Sequence, residues 1–200
     1  MKKITFIKTS KLCSVLKQLI FILFTTIISI YSCKNNNNRK EVEKIVNEWI
    51  GKEIFFPKDI SCYITGRDTL VDILNSFFQK EFKVLMYADS TGCSDCKLKL
   101  FEWKQLIEGI ESLFPDKVGF LLFFQPKNKY DMIELFVQNL FDYPVFMDVN
   151  NIINRLNHFP QASQYQCFLL DKNNKVLIVG NPVLNRKIWE LYKSKIDGSN

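Results

Sequence analysis

From about residue 39 onward, the apolar positions of this chain follow two alternating patterns. Short unbroken apolar runs predict buried strands, and two such runs around a polar turn predict a hairpin. Between them, apolar residues recur three and four positions apart, which predicts amphipathic helices. The predicted strands lie at 53–65 (one or two strands), 83–89, 118–124, 144–149 and in the hairpin 167–179. Three predicted helices cover 39–50, 129–141 and 185–196. A long helix is predicted from the turn at 91–93 to the residue before Pro115. Two more are predicted from a cap at Asp68 or Thr69 through Phe78, and from Asn150 or Asn151 through Leu156.

The order of these elements indicates the fold class. Strands that alternate with helices, followed by a hairpin and a terminal helix, predict an α/β domain. Its sheet would be mixed, with helices packed on both faces. This order alone is compatible with many folds, and the chain shows no internal repeat.

The first 32 residues follow a different pattern. Five lysines are the only charged residues before Lys34, and the uncharged run 19–30 contains only apolar residues, Ser and Thr. This run is shorter than the roughly 18–20 residues that span a bilayer, but a positive segment followed by a short apolar one is typical of a signal peptide. An amphipathic helix of a cytosolic domain and a short membrane anchor are the alternatives.

The end of the apolar run carries a more specific motif. The sequence Ile-Tyr-Ser-Cys at 30–33 resembles a bacterial lipobox, in which a small residue precedes the cysteine. The resemblance implies that residues 1–32 are a lipoprotein signal peptide and that Cys33 carries the lipid. More than one acyl chain gives stable anchoring. Plain secretion with an unmodified Cys33 is the alternative.

The segment after Cys33 predicts a tether. Residues 34–40 are polar throughout and offer nothing to bury. Residues 33–52 would then comprise the lipidated cysteine, the tether and the N-terminal helix, and 53–200 the folded domain. No acidic residue lies near Cys33, so the acidic surface-export signals of some Bacteroidetes lipoproteins are missing. We therefore expect a Bacteroidetes-like lipoprotein of the cell envelope whose domain faces the periplasm.

Composition and charge exclude several classes of protein. Apolar residues make up 47% and charged residues 24% of the 200 residues, which is typical of a globular chain and excludes wholesale disorder. The formal charge is +6, from 27 basic and 21 acidic residues. Five of the basic residues and none of the acidic ones precede Cys33, which leaves 22 against 21. The remaining chain is nearly neutral, so we expect no nucleic acid partner.

One pair of cysteines has a spacing that suggests chemistry. Of the six cysteines, Cys13 lies in the signal segment and Cys33 in the lipobox. Among the rest, Cys93-Ser94-Asp95-Cys96 lies between a predicted buried strand and a long predicted helix. A helix N-terminus stabilises a thiolate, and a second cysteine one turn later can close a disulfide. The pair predicts a nucleophile and a resolving thiol.

The strand, C-x-x-C and helix, followed by strand, helix, strand and hairpin, resemble the thioredoxin fold. Over roughly 53–197 the chain is most similar to membrane-tethered TlpA/ResA-type thiol–disulfide oxidoreductases. The resemblance implies a thioredoxin-like mixed sheet and an enzyme that uses Cys93 and Cys96 without a cofactor or a metal. It also implies protein or small-molecule thiols and disulfides as partners, together with the membrane and a candidate membrane electron donor.

Two positions depart from the family pattern, and a third affects the chemistry of the cysteines. Gly92 stands where the family usually has Trp, and Tyr165 stands at the position of the family's cis-proline. The loss of that proline affects peptide docking and can make room for a metal. Asp95 opposes a neighbouring thiolate, which raises the thiol pKa and favours a reducing pair.

Three other interpretations of the C-x-x-C remain open. A structural disulfide would close too short a loop to remove much chain entropy. A zinc site would need Cys62 and Cys167 as further ligands, and neither a second C-x-x-C nor suitable spacing around the lone His158 supports it. A non-catalytic binding module on the same fold is the third alternative. Cys62 and Cys167 themselves are expected to be buried as small apolar residues, and they could also pair with each other.

Overall fold

The computed structural model describes residues 17–20, 39–57, 61–64, 67–69, 76–89 and 98–198. The chain divides into two units, Met1–Lys44 and Ile45–Asn200. In the first unit, residues 17–20 and 39–44 are helical, and Arg39 forms an ion pair with Glu43 at 2.8 Å. No helix in the described ranges is long and apolar enough to cross a bilayer. The lipobox, Cys33 and the tether up to residue 38 lie outside these ranges.

The described residues of the second unit form seven strands and several helices. The strands are β1 (Ser61–Ile64), β2 (Arg67–Thr69), β3 (Phe82–Ala88), β4 (Val118–Phe124), β5 (Val145–Met147), β6 (Cys167–Leu170) and β7 (Val176–Val179). The helices are α1 (39–49, which begins in the first unit), α2 (Leu100–Leu113), α3 (Lys129–Gln138), α4 (Ile152–Asn157) and α5 (Arg186–Asp197), with a 3₁₀ turn at Ser163–Tyr165.

The strands form one mixed sheet in the order β2-β1-β5-β4-β3-β6-β7. β3, β4 and β5 are parallel, with Val84 opposite Phe120 and Phe123 opposite Phe146. β6 runs antiparallel to β3 and pairs with β7 in the predicted hairpin. Because β6 is antiparallel to β3, its first residue Cys167 lies opposite Met86, near the carboxyl end of β3. The predicted mixed α/β sheet is confirmed.

Two apolar clusters cover the two faces of the sheet. Alternate residues of β3 enter different clusters, with Val84 and Met86 in one and Leu85 and Tyr87 in the other. The first cluster contains buried residues of α2, α3 and α5, such as Trp103, Phe136 and Tyr192. The second contains Trp49 of α1 and Ile153 of α4. The helices therefore pack on both faces, as the alternation of elements predicted.

The segment after α1 covers one sheet edge, which the sequence did not indicate. Gly51 N donates to Val176 O, and Val176 N donates to Lys52 O. The buried Asn157 side chain then holds Phe55, because it accepts from Phe55 N at 2.8 Å and donates to Phe55 O at 2.7 Å. These contacts use backbone groups that would otherwise remain unpaired at the edge of β7. Among the described residues of the predicted 53–65 strand region, Ser61–Ile64 form a strand of the sheet and 53–57 do not.

Some predicted boundaries were wrong. The cap positions expected for a helix, Asp68 and Thr69, lie in β2, because Arg67–Thr69 pair antiparallel with β1, with Cys62 opposite Thr69. Residues 76–78 of the predicted helix are helical, and 70–75 lie outside the described ranges. The long helix expected directly after the turn at 91–93 is interrupted at Lys99, whose φ of 52° breaks the helical backbone before Leu100. α3 ends at Gln138, and Leu140 has a φ of 49°.

Candidate functional site

A cavity of about 50 Å³ lies at the carboxyl end of β3. Its buried side is formed by the last residues of β3 together with Leu98 and Trp103, which belong to the segment that follows in the chain. Its opposite side is formed by the loop before β6 and the loop after β7. The lining residues are Met86, Tyr87, Ala88, Leu98, Trp103, Ser163, Gln166, Asn181 and Leu184.

In the chain, the C-x-x-C lies between two residues that line the buried side of this cavity. Ala88 ends β3 and lines the cavity, and Leu98 lines it again ten positions later. Gly92, Cys93, Ser94, Asp95 and Cys96 all lie in the intervening stretch, outside the described residues. The long helix α2 then begins at Leu100, and Trp103 N donates to Lys99 O at 3.0 Å.

The loop before β6 contains a 3₁₀ turn, and not extended backbone, just ahead of the strand. Tyr165 is the last residue of this turn, two positions before β6, and it is partly buried against the cluster that contains Trp49. The next residue, Gln166, lines the cavity and is only 4% exposed. Gln166 O accepts from Tyr87 N at 2.9 Å, and its Nε2 donates to Pro160 O at 2.8 Å. These bonds fix the loop against β3.

Cys167 carries a buried thiol at the start of β6. Cys167 is fully buried and opposite the lining residue Met86, with its Sγ 3.8 Å from Tyr192 Oη. Tyr192 Oη in turn donates to Gly180 O at 3.0 Å. Burial raises the pKa of the Cys167 thiol to about 12, despite the opposing hydrogen bond with Tyr192. A thiol with this pKa is almost entirely protonated at neutral pH, so it is a poor nucleophile.

Cys62 and Cys167 do not form a disulfide with each other. Cys62 is buried in β1 and Cys167 in β6, and three strands lie between them. Four strand spacings of about 4.8 Å each place the two strands about 19 Å apart. A disulfide needs Cα atoms within about 7 Å. Both residues are buried within apolar clusters, as predicted.

The described lining of the cavity is uncharged. None of its described lining residues carries a charge, and three of them, Ser163, Gln166 and Asn181, are neutral polar residues. In the described ranges, no group of three His, Cys, Asp or Glu residues could hold a metal ion. His158 is exposed and ends α4 with a φ of 56°.

Several solved structures share this architecture. One is a protein assigned as the thiol:disulfide interchange protein DsbE of Chlorobium tepidum, with a TM-score of 0.54 and 15% identity over 74% of this chain and 97% of that one. The fold is thioredoxin-like. The mitochondrial 2-Cys peroxiredoxin of Plasmodium falciparum has a TM-score of 0.51 and 14% identity over 74% and 97% of the two chains. AhpC of Mycobacterium tuberculosis has a TM-score of 0.50 and 16% identity over 72% and 98%.

The similarity to these solved structures establishes the fold of the chain but not the reaction that it catalyses. No family model matches this chain, and no curated protein matches its sequence. The similar structures carry the names of both disulfide-exchange proteins and peroxiredoxins, so the thioredoxin-like fold by itself does not select one reaction.

Sequence reasoning missed the loop residues that complete the cavity. Ser163, Gln166 and Asn181 were not singled out, because polar loop residues have no periodic pattern. A weak signal was present in Asn181-Pro182, a dipeptide that marks turns. Trp103 is both buried and a lining residue of the cavity.

Proposed function

We propose that this protein is a thiol–disulfide oxidoreductase, anchored to a membrane of the cell envelope through Cys33 and acting mainly as a reductase. The observation that supports the proposal concerns the described residues on either side of the C-x-x-C in the chain. Ala88, which precedes the motif, and Leu98, which follows it, line the same cavity at the carboxyl end of β3. Cys93 and Cys96 would therefore act at a site where a substrate can approach from solvent.

The reaction proceeds by two thiol–disulfide exchanges. The Cys93 thiolate attacks one sulfur of a substrate disulfide, and the other sulfur leaves as a thiolate with the electron pair. The Cys96 thiolate then attacks the Cys93 sulfur, so that the second substrate thiolate is released and a Cys93–Cys96 disulfide remains. The substrate gains two electrons and takes up two protons. A dithiol donor at the membrane reduces the protein disulfide again.

Two features support this assignment of roles. Asp95 lies between the two cysteines, and a carboxylate there raises the pKa of a neighbouring thiol, which favours a reducing pair over a strong oxidant. Cys167 lies opposite the lining residue Met86 in the sheet, but its raised pKa and complete burial make it unsuited to resolve a mixed disulfide. Resolution is therefore assigned to Cys96.

Trapping of mixed disulfides tests the exchange chemistry. Cys96→Ser should accumulate covalent adducts with envelope proteins or small thiols, because the first exchange can occur and the second cannot. Cys167→Ser, which removes a thiol outside the proposed pair, is the matched control and should accumulate none. The absence of adducts in Cys96→Ser, together with alkylation of Cys93 and Cys96 that is unchanged by reductant, would refute the redox function.

A non-catalytic binding module is the second candidate, and Gly92 and Tyr165 favour it, since both replace family residues. It predicts that a Cys93→Ser/Cys96→Ser variant keeps full function in the cell. Loss of function in a double variant with unchanged unfolding would count against this candidate.

The lipid anchor has a test of its own. Cys33→Ala should move the protein from the membrane fraction to the soluble fraction of the envelope, since it removes the only proposed acylation site. Retention of the variant in the membrane fraction would refute anchoring through Cys33.

A further inference from the structure

We draw no further inference here: the strongest candidate, the exposed apolar stripe that Tyr130, Val137 and Leu140 form along α3 and the turn after it, is an unpartnered helix face, and nothing in the described part of the chain shows what covers it.

Discussion

Asn157 links two distant parts of the second unit, and its replacement by Ala should destabilise the fold measurably. The side chain lies at the last position of α4 and is 2% exposed. Its Oδ1 accepts from Phe55 N at 2.8 Å, and its Nδ2 donates to Phe55 O at 2.7 Å and to Ile153 O at 2.8 Å. The amide thus pairs with Phe55 as a neighbouring strand would. Ala can make none of these bonds.

The expected loss in the free energy of unfolding depends on how many hydrogen bonds are removed and on whether water can replace them. Three intramolecular hydrogen bonds at about 1 kcal/mol each give a loss of about 3 kcal/mol in the free energy of unfolding. Phe55 is 56% exposed, so water can reach its backbone groups after the substitution, and the additional penalty for unsatisfied groups is not included. For a unit of this size, about 3 kcal/mol corresponds to a decrease in Tm of about 6–12 °C.

Equilibrium unfolding in urea measures this loss. The midpoint should fall while the dependence on urea concentration stays constant, since the surface exposed on unfolding is unchanged. Asn154→Ala is the matched control in the same helix, because Asn154 Oδ1 accepts a single bond, from Phe159 N at 2.9 Å. Its expected cost is about 1 kcal/mol. A loss for Asn157→Ala no larger than for Asn154→Ala would refute the pairing of Asn157 with Phe55.

Two further predictions concern packing and pH. Gly119→Ala should destabilise the fold by about 1–3 kcal/mol in the same assay. A Cβ at Gly119 would lie 3.0 Å from Phe77 O and 3.2 Å from Phe77 Cα, and these backbone atoms cannot easily move. An unchanged urea midpoint would contradict this close approach. The pKa of Cys167 is about 12 in the folded state, above its ordinary value of 9.0, so the protonated thiol favours folding and the stabilisation is lost as pH rises from about 9 towards 12. The stability of the unaltered protein relative to Cys167→Ala should therefore fall by about 1 kcal/mol between pH 9 and pH 10, and equal pH dependence of the two proteins would contradict a buried neutral thiol.

The sequence by itself determined the elements whose formation depends on local periodicity and burial. The unbroken apolar runs became β3 and β4, which are buried along almost their whole length, and the stripe of α2 became a buried helix face. These features follow from the spacing of apolar residues, because a strand buried on both faces favours a nearly continuous run of apolar side chains. The motif at 93–96 was likewise visible as a spacing, and its role stays a proposal.

Only the tertiary structure decided how distant segments pair. β2 forms where a helix cap was predicted, because pairing with β1 satisfies the backbone of Arg67–Thr69 and no local pattern records that partner. The cavity depends on the same kind of information. Met86, Gln166 and Asn181 lie far apart in the chain, and they meet because β6 runs antiparallel to β3 and β7 returns beside β6. Register and strand order are long-range properties of the sheet, so the walls of the candidate site were decided only when the sheet formed.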